Sequence, residues 1–343
     1  MSKAIDGPGG GAELRARTPT AVVGAVIIGR NEGLRLQRCF DTLPQGLRRV
    51  VYVDSGSTDD SVAQARRRGV EVVALDMSIP FTAARARNEG FRLLRALVPD
   101  LDFVQFVDGD CELLPGWIDA AAAALHREPS IALVTGRLHE RNRDASVYNR
   151  LCDMEWDGPI GDLELCGGIC MMRVGPLVAS GGFNEILMAG EEPELCVRLR
   201  RAGHRIVRIA VDMALHDAAM TQARQWWKRA MRDGYSTAEL AGMHPEVWRT
   251  KSLRMVAWGL GLPMTAAVSA PPTGGLGLTV LGAYPALWLR IVLRRQSEGR
   301  PLGEAALYAT HIVAGKVPQA LGVLKYHWGQ LRGRRWTVGE YRQ

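Results

Sequence analysis

Phe103-Val104-Gln105-Phe106-Val107-Asp108-Gly109-Asp110-Cys111-Glu112 runs from an apolar segment straight into two carboxylates separated by one glycine. Like charges at that spacing repel unless a cation lies between them. A hard divalent ion such as Mg2+ or Mn2+ prefers oxygen ligands, keeps several waters and is commonly completed by phosphate oxygens. Asp108-Gly109-Asp110 at a strand end therefore reads as a metal and phosphate site. The competing reading is a solvated turn in which Gly109 supplies a left-handed conformation.

Three upstream segments repeat the pattern. Val22 to Ile28 is an apolar run ending at Gly29-Arg30-Asn31-Glu32, and a helix is expected over 33–42. Val50 to Val53 ends at Asp54, followed by the turn residues Ser55-Gly56-Ser57-Thr58-Asp59 and a helix closing at Arg66-Arg67-Arg68-Gly69. Val70 to Leu75 ends at Asp76 and leads into a helix over 82–97. Four strands alternating with helices imply an open, mostly parallel α/β sheet, in which ligands bind beyond the carboxyl ends of the strands. Asn31, Glu32, Asp54, Asp76, Asp108 and Asp110 all fall at those ends.

Downstream, a helix from Pro115 to about His126 and a strand from Ile131 to Leu138 follow. The stretch 142–163 has poor periodicity and reads as a loop over the site, carrying Trp156. In Cys166-Gly167-Gly168-Ile169 the paired glycines permit close backbone approach. No Gly-x-Gly-x-x-Gly supports a dinucleotide fold.

Gly190-Glu191-Glu192-Pro193-Glu194-Leu195-Cys196-Val197-Arg198 opens a helix that stops at Gly203. Glu191, Glu194 and Arg198 share one face, and Glu194 with Arg198 forms an i,i+4 pair. Glu192 shares the other face with Cys196 and Leu199 and should point inward, where a carboxylate is suited to take a proton from a substrate hydroxyl. The plainer alternative is that these acids only complement the helix dipole. His216 follows a strand-like segment, Ile206 to Leu215, and a neutral imidazole there could complete the coordination begun by the aspartates.

These motifs, in order, are Val-Ile-Ile-Gly-Arg-Asn-Glu-Gly, Val-Asp-Ser-Gly-Ser-Thr-Asp-Asp-Ser, Ala-Arg-Ala-Arg-Asn-Glu-Gly, Val-Asp-Gly-Asp and Gly-Glu-Glu-Pro-Glu-Leu-Cys-Val-Arg. Together, over about Val22 to Ala241, they resemble the family 2 glycosyltransferases. The resemblance implies a GT-A, Rossmann-like, nucleotide-sugar-binding sheet. It also implies that Asn31, Glu32 and Asp54 line the nucleotide pocket, with Asp54 facing the base, and that Arg87 sits near the diphosphate. Asp108 would contact the ribose, or the metal through water. Asp110 would bind Mg2+ or Mn2+ directly, with His216 as the remaining protein ligand. Glu192 falls where the family places its catalytic base, with Glu191 beside it; the family usually has Glu-Asp where this chain has Glu191-Glu192. A single inverting displacement is implied. The acceptor implied is a lipid-linked saccharide in polysaccharide or envelope synthesis. The rival readings are a polyprenyl-phosphate or small-molecule transferase, and an idle sugar-nucleotide-binding scaffold.

At 343 residues and a net charge of +7 the chain has room for one large α/β domain and an appendage. The expected division is a disordered lead over 1–20, a catalytic domain over 21–245 and a helical, membrane-associated region over 246–343. The six cysteines, Cys39, Cys111, Cys152, Cys166, Cys170 and Cys196, lack CxxC spacing and read as reduced thiols of the cytosol. No basic and aromatic interleaving points to nucleic acid.

Met255 to Ala270 and Leu276 to Val292 are apolar segments separated by Pro271-Pro272-Thr273-Gly274-Gly275. Each falls slightly short of the about 20 residues of a straight span. Arg249, Lys251 and Arg254 precede them and Arg290, Arg294 and Arg295 close them, which places both ends at the cytoplasmic face with a hairpin between. Ala305 to Gly333, with Lys316 and Lys325, reads as a basic helix on anionic lipid. Its rival is a soluble helical subdomain.

Overall fold

The computed structural model describes residues 21–334 and 336; the lead 1–20, expected to be disordered, lies outside the described residues, as do Arg335 and 337–343. The strands are β1 (Val23–Gly29), β2 (Val50–Asp54), β3 (Glu71–Ala74), β4 (Phe103–Asp108), β5 (Cys111–Leu113), β6 (Ile131–Glu140), β7 (Gly161–Asp162), β8 (Cys170–Arg173) and β9 (Arg205–His216). They form one sheet in the order β3-β2-β1-β4-β8-β6-β9-β5, with β7 paired to β9.

The half of the sheet anticipated from the apolar runs is parallel, and its carboxyl ends are level: Gly29 pairs with Asp54 and Ile28 with Asp108. That register brings the strand-end acids onto one rim. The other half is mixed. β8 runs antiparallel between β4 and β6, β9 lies parallel to β6, and β5 is antiparallel to β9.

β4 and β5 are far apart in sheet order but are joined by only Gly109 and Asp110. Three Cα steps reach at most about 11 Å, so the far edge of the sheet must curl back to the carboxyl end of β4. Register shifts along β6 and β9, between Ile131 and Leu133 and again around Arg137, supply the local bends that such curling needs.

Both faces of the sheet are covered. Along β1, Val26 faces one core layer with Val53, Phe91 and Phe106, and Ile27 faces the other with Tyr52, Leu36 and Trp117. Burial on both sides is why the strand reads as an unbroken apolar run and not as an alternating one. The helices that cover it are α1 (Leu34–Asp41), α2 (Ser61–Arg67), α3 (Ala83–Leu97), α4 (Trp117–Arg127), α5 (Val147–Trp156), α6 (Val174–Ala179) and α7 (Glu191–Arg201). Thr82 caps α3, its hydroxyl accepting from the Arg85 N–H at 3.1 Å. In mid-strand, the fully buried Gln105 accepts from the Trp117 indole N–H at 2.8 Å and donates to the Phe106 carbonyl at 2.8 Å.

Two expectations need correction. The stretch 142–163 is not simply a loop, because α5 occupies its middle, capped by the Ser146 hydroxyl, which accepts from the Asn149 N–H at 3.0 Å. Its apolar period is obscured because Asn149 and Asp153 lie on the buried side. Asn149 donates to Glu140, and Asp153 accepts from the Glu140 N–H. Gly109 also departs from the left-handed turn, since it is not among the glycines of positive φ.

The C-terminal part adds α8 (Ala223–Met243), α9 (Pro245–Val256), α10 (Leu262–Ser269), α11 (Ala283–Ser297), α12 (Leu302–Ala314) and α13 (Lys316–Leu331). The basic segment expected as one helix on lipid is thus two helices. α13 buries Pro318, Ala320, Gly322 and Val323, the last in a cluster with Ala238 of α8. α8 and α13 cross at glycines. A Cβ on Gly234 would lie 1.9 Å from the Gln319 carbonyl oxygen, and one on Gly322 2.0 Å from that of Met231.

Replacing Trp117 by Phe leaves the buried Gln105 carbonyl without its donor, at a cost of about 1–3 kcal/mol beyond the lost packing. In urea titrations the double variant Trp117→Phe with Gln105→Leu should lose less stability than the two single changes summed. Simple additivity would show that the bond contributes nothing.

Candidate active site

Arg87, on the second turn of α3, joins the two acidic motifs. Its Nη2 lies 2.9 Å from Asp108 Oδ1 at the end of β4, and its Nη1 lies 2.7 Å from both Glu191 Oε1 and Glu192 Oε1 at the start of α7. The side chain is 3% exposed. Gly168 allows this placement, because a Cβ there would sit 2.3 Å from Arg87 Nη2 and 2.8 Å from Glu192 Oε1. Of the paired glycines read from the sequence, Gly168 has this close neighbour, whereas a Cβ on Gly167 would meet nothing within 4 Å.

Glu192 is buried, and desolvation together with the charge of Glu191 pushes its carboxyl up to about 8, against the pull of Arg87. Glu194, two residues on, is committed elsewhere. It accepts from Arg198 Nε at 2.9 Å and faces His244 Nε2 at 3.1 Å, while Arg198 also reaches the Gly182 carbonyl. The expected i,i+4 pair is present, and it fastens α7 to the segment before it and to the end of α8.

Asp110 meets His216 because β5 pairs with β9 in a register that sets Cys111 opposite His216. His216 Nε2 is 3.5 Å from Asp110 Oδ2. On the other side, the β6 register sets Glu140 opposite His216, with Oε2 4.0 Å from Nδ1, a shielded nitrogen that has no hydrogen-bond partner among the described residues. The Trp156 ring stands edge-on to the imidazole at 4.6 Å. Burial raises the Asp110 carboxyl above its usual range while His216 opposes the rise.

The Cys111 thiol belongs to the same cluster of potential ligand atoms, all within 4.8 Å. Burial and the neighbouring aspartates drive its pKa well up, and a soft sulfur is poorly matched to Mg2+ or Mn2+. The carboxylate and imidazole that remain suit a hard divalent ion.

Asp108, Asp110, Arg87, Glu32, Glu191, Glu192 and His216 line one cavity of about 750 Å³. Asn31 and Asp54, expected in the pocket wall, are not among its lining residues. Asp54 is buried and accepts from the Tyr52 hydroxyl and from the N–H groups of Gly56 and Ser57. Asn31, at φ 57°, accepts from the Thr58 N–H at 2.7 Å. Both shape the loops after β1 and β2, and Ser55 and Arg30 provide the cavity wall there.

Residues 25–168 match the family described as Glycosyl transferase family 2. They form a family 2 glycosyltransferase domain. A pre-mycofactocin glycosyltransferase of Mycobacterium tuberculosis, in strains CDC 1551 and H37Rv, is 29% identical over 240 residues, which are 65% of this chain and 48% of the relative. The chain thus spans about half the length of the curated relatives it matches. Among solved structures, the mannosyltransferase PcManGT from Pyrobaculum calidifontis, in complex with GDP-Man and Mn2+, superposes with a TM-score of 0.58 at 18% identity. The match covers 91% of this chain and 89% of that one, which fixes the fold as GT-A-like.

The matched stretch ends before several residues that complete the cavity. Besides Glu191, Glu192 and His216 these are Arg224, Lys228 and Arg232 of α8, at i, i+4 and i+8. That spacing puts a cationic stripe on one face of the helix. Arg224 and Lys228 form no ion pair among the described residues. The stripe is visible in the sequence as Arg-Gln-Trp-Trp-Lys-Arg-Ala-Met-Arg, but its only signal is helical period, and nothing in it tells which face meets the strand ends. Arg87, expected at a diphosphate, is held by three carboxylates, whereas Arg224 and Lys228 have no such pair among the described residues.

A carboxyl whose folded pKa is raised binds its proton more tightly folded than unfolded, so its contribution to stability falls as pH rises from its ordinary 4.5 through about 8. The melting temperature should therefore decline between about pH 5 and pH 8 more steeply for the native chain than for Glu192→Gln. Parallel profiles would show that Glu192 is not the strained group.

Proposed function

We propose that the chain is an inverting, metal-dependent glycosyltransferase that moves a sugar from a nucleotide-sugar donor to an acceptor hydroxyl. One observation carries the reading: a raised, buried carboxyl at Glu192 shares a single cavity with the Asp110–His216 pair and a cationic helix face. The family, the mannosyltransferase-like fold with its GDP-Man and Mn2+ ligands, and the glycosyltransferase relative all support it.

Asp110 and His216 would hold Mg2+ or Mn2+, which supplies charge stabilisation for a departing diphosphate. Asp108 is the residue of this rim best placed to link that group to the nucleotide. Arg224 and Lys228 would pair with the diphosphate as open cations. The acceptor oxygen bonds to the anomeric carbon as the bond from that carbon to the diphosphate breaks, and the acceptor proton goes to Glu192. With a pKa of about 8, Glu192 is a stronger base than an ordinary carboxylate once ionised. Arg87, fixed on Glu191, Glu192 and Asp108, limits the repulsion that ionising Glu192 would create.

A lipid-linked saccharide acceptor at the cytoplasmic face of a membrane is part of the same proposal. Leu276–Ser297 is a 22-residue helical stretch of mean hydropathy 1.6 with 11% of it buried, long and apolar enough to cross a bilayer. Met264 and Val268 of α10 are exposed beside it, and a Cβ on Gly277 would lie 2.2 Å from the Ser269 hydroxyl, so the two apolar segments form a close hairpin.

Thermal shift with UDP-, GDP- and dTDP-sugars, with and without Mn2+, tests the donor site. At least one donor should stabilise the chain in a metal-dependent way, and Asp110→Ala should abolish that dependence. Glu192→Gln should keep donor binding and lose about 10²–10⁴ in turnover. Full turnover by Glu192→Gln would remove it from the base role, and no response to any donor would sink the transferase reading.

A further inference from the structure

A second cavity, of about 670 Å³, lies between α5, α8, α9, α12 and α13. Met220 and Arg229 line both cavities, so the two share a wall. One side of the second is an aromatic corner. Tyr148 and Trp226 are stacked with centroids 6.5 Å apart, and His311 stands edge-on to both, at 5.9 Å and 5.4 Å.

Its charges do not balance. Arg229 donates to Glu155 at 2.8 Å and Lys251 to Asp233 at 3.3 Å, which accounts for both acids of the lining. Arg254 and Lys316 remain, and neither forms an ion pair among the described residues. Lys316 is partly buried, and desolvation lowers its pKa although Asp233 pulls the other way. Asp233 is already engaged by Lys251 at 3.3 Å and Gln319 at 2.8 Å, and a partly buried cation that shares its acid in this way is favoured by a further anion beside it.

From this geometry we infer that the second cavity is the acceptor site, and that the acceptor carries a phosphate ester next to a flat or ring-shaped moiety. The phosphate lies against Lys316 and Arg254, the ring against Tyr148, Trp226 and His311, and the reacting hydroxyl faces the donor cavity past Met220 and Arg229. Aromatic faces take the apolar side of a ring while the cations take the anion, a division common to small-molecule sites. The assignment rests on the transferase reading for the word acceptor, but the anion site stands on its own residues.

Phenyl phosphate, which joins a ring to a phosphate dianion, is the probe. Calorimetric titration of the full chain should show binding that weakens at least tenfold in Lys316→Gln, persists in Lys316→Arg and is unchanged in Arg224→Gln, a donor-cavity variant. Matching melting temperatures show that the variants fold. Absence of binding to the native chain, insensitivity to Lys316→Gln, or a loss in Arg224→Gln instead overturns the proposal.

Nucleotide-sugar stabilisation measured on the same samples separates the two failures. Donor binding without a Lys316-dependent phenyl phosphate site sinks the acceptor cavity alone. A Lys316-dependent site without donor binding sinks the transferase reading alone. Displacement of the probe by a micellar polyprenyl-diphosphate sugar, which carries phosphate, ring and hydroxyl, assigns the phosphate to a lipid acceptor, and displacement by glucose 1-phosphate assigns it to a soluble one.

Discussion

The contact on which the site depends is the buried guanidinium of Arg87 between Asp108, Glu191 and Glu192. Three carboxylates from two distant parts of the chain cannot share a low-dielectric pocket without a cation among them. Arg87 is always charged and presents a rigid fork of donors, so it can hold the end of β4 and the start of α7 together at fixed spacing. Burial, and after it the like charge left when one cation serves three acids, raises the pKa of Glu192. The arrangement that gathers the acids is therefore also the one that makes one of them basic.

The second constraint is the shape of the sheet. A parallel half fixes the rim of acids, and a mixed half with a bulged β6–β9 ladder curls until β5 pairs beside His216. Asp108-Gly109-Asp110 bridges the two halves. That explains why its carboxylates differ: Asp108 ends the parallel half and faces Arg87, whereas Asp110 begins the returning edge and faces His216. Glu140 stands behind His216 in the same ladder, the position from which a carboxylate can orient an imidazole.

Behind the cavity at the strand ends, the helical part is built on α8. Its cations Arg224, Lys228 and Arg232 line that cavity, and Gly234 lets α13 press against it closely enough to wall off a second one. The polar surface of α5, which obscured that helix in the sequence, is the surface that holds Glu140 and Met220 in place through Asn149. Apolar residues left exposed on α10 and α11 lie on the opposite logic, since no core element covers them.

The parallel half of the sheet, its turns and the residues of its rim are legible in the order of amino acids, because each strand is an apolar run closed by a local turn signal within a few residues. Glu192 is legible as inward-facing for the same reason, since helical period is local. Which acids meet depends on the folded chain. Asp110 reaches His216 through a strand register set more than a hundred residues away, and Asn31 and Asp54 turn out to shape loops because their hydrogen-bond partners lie along the backbone around them. The cations of α8 and the cavity behind them were equally hidden. A helical stripe states its period, but the neighbour it faces is fixed only when the chain folds back on itself.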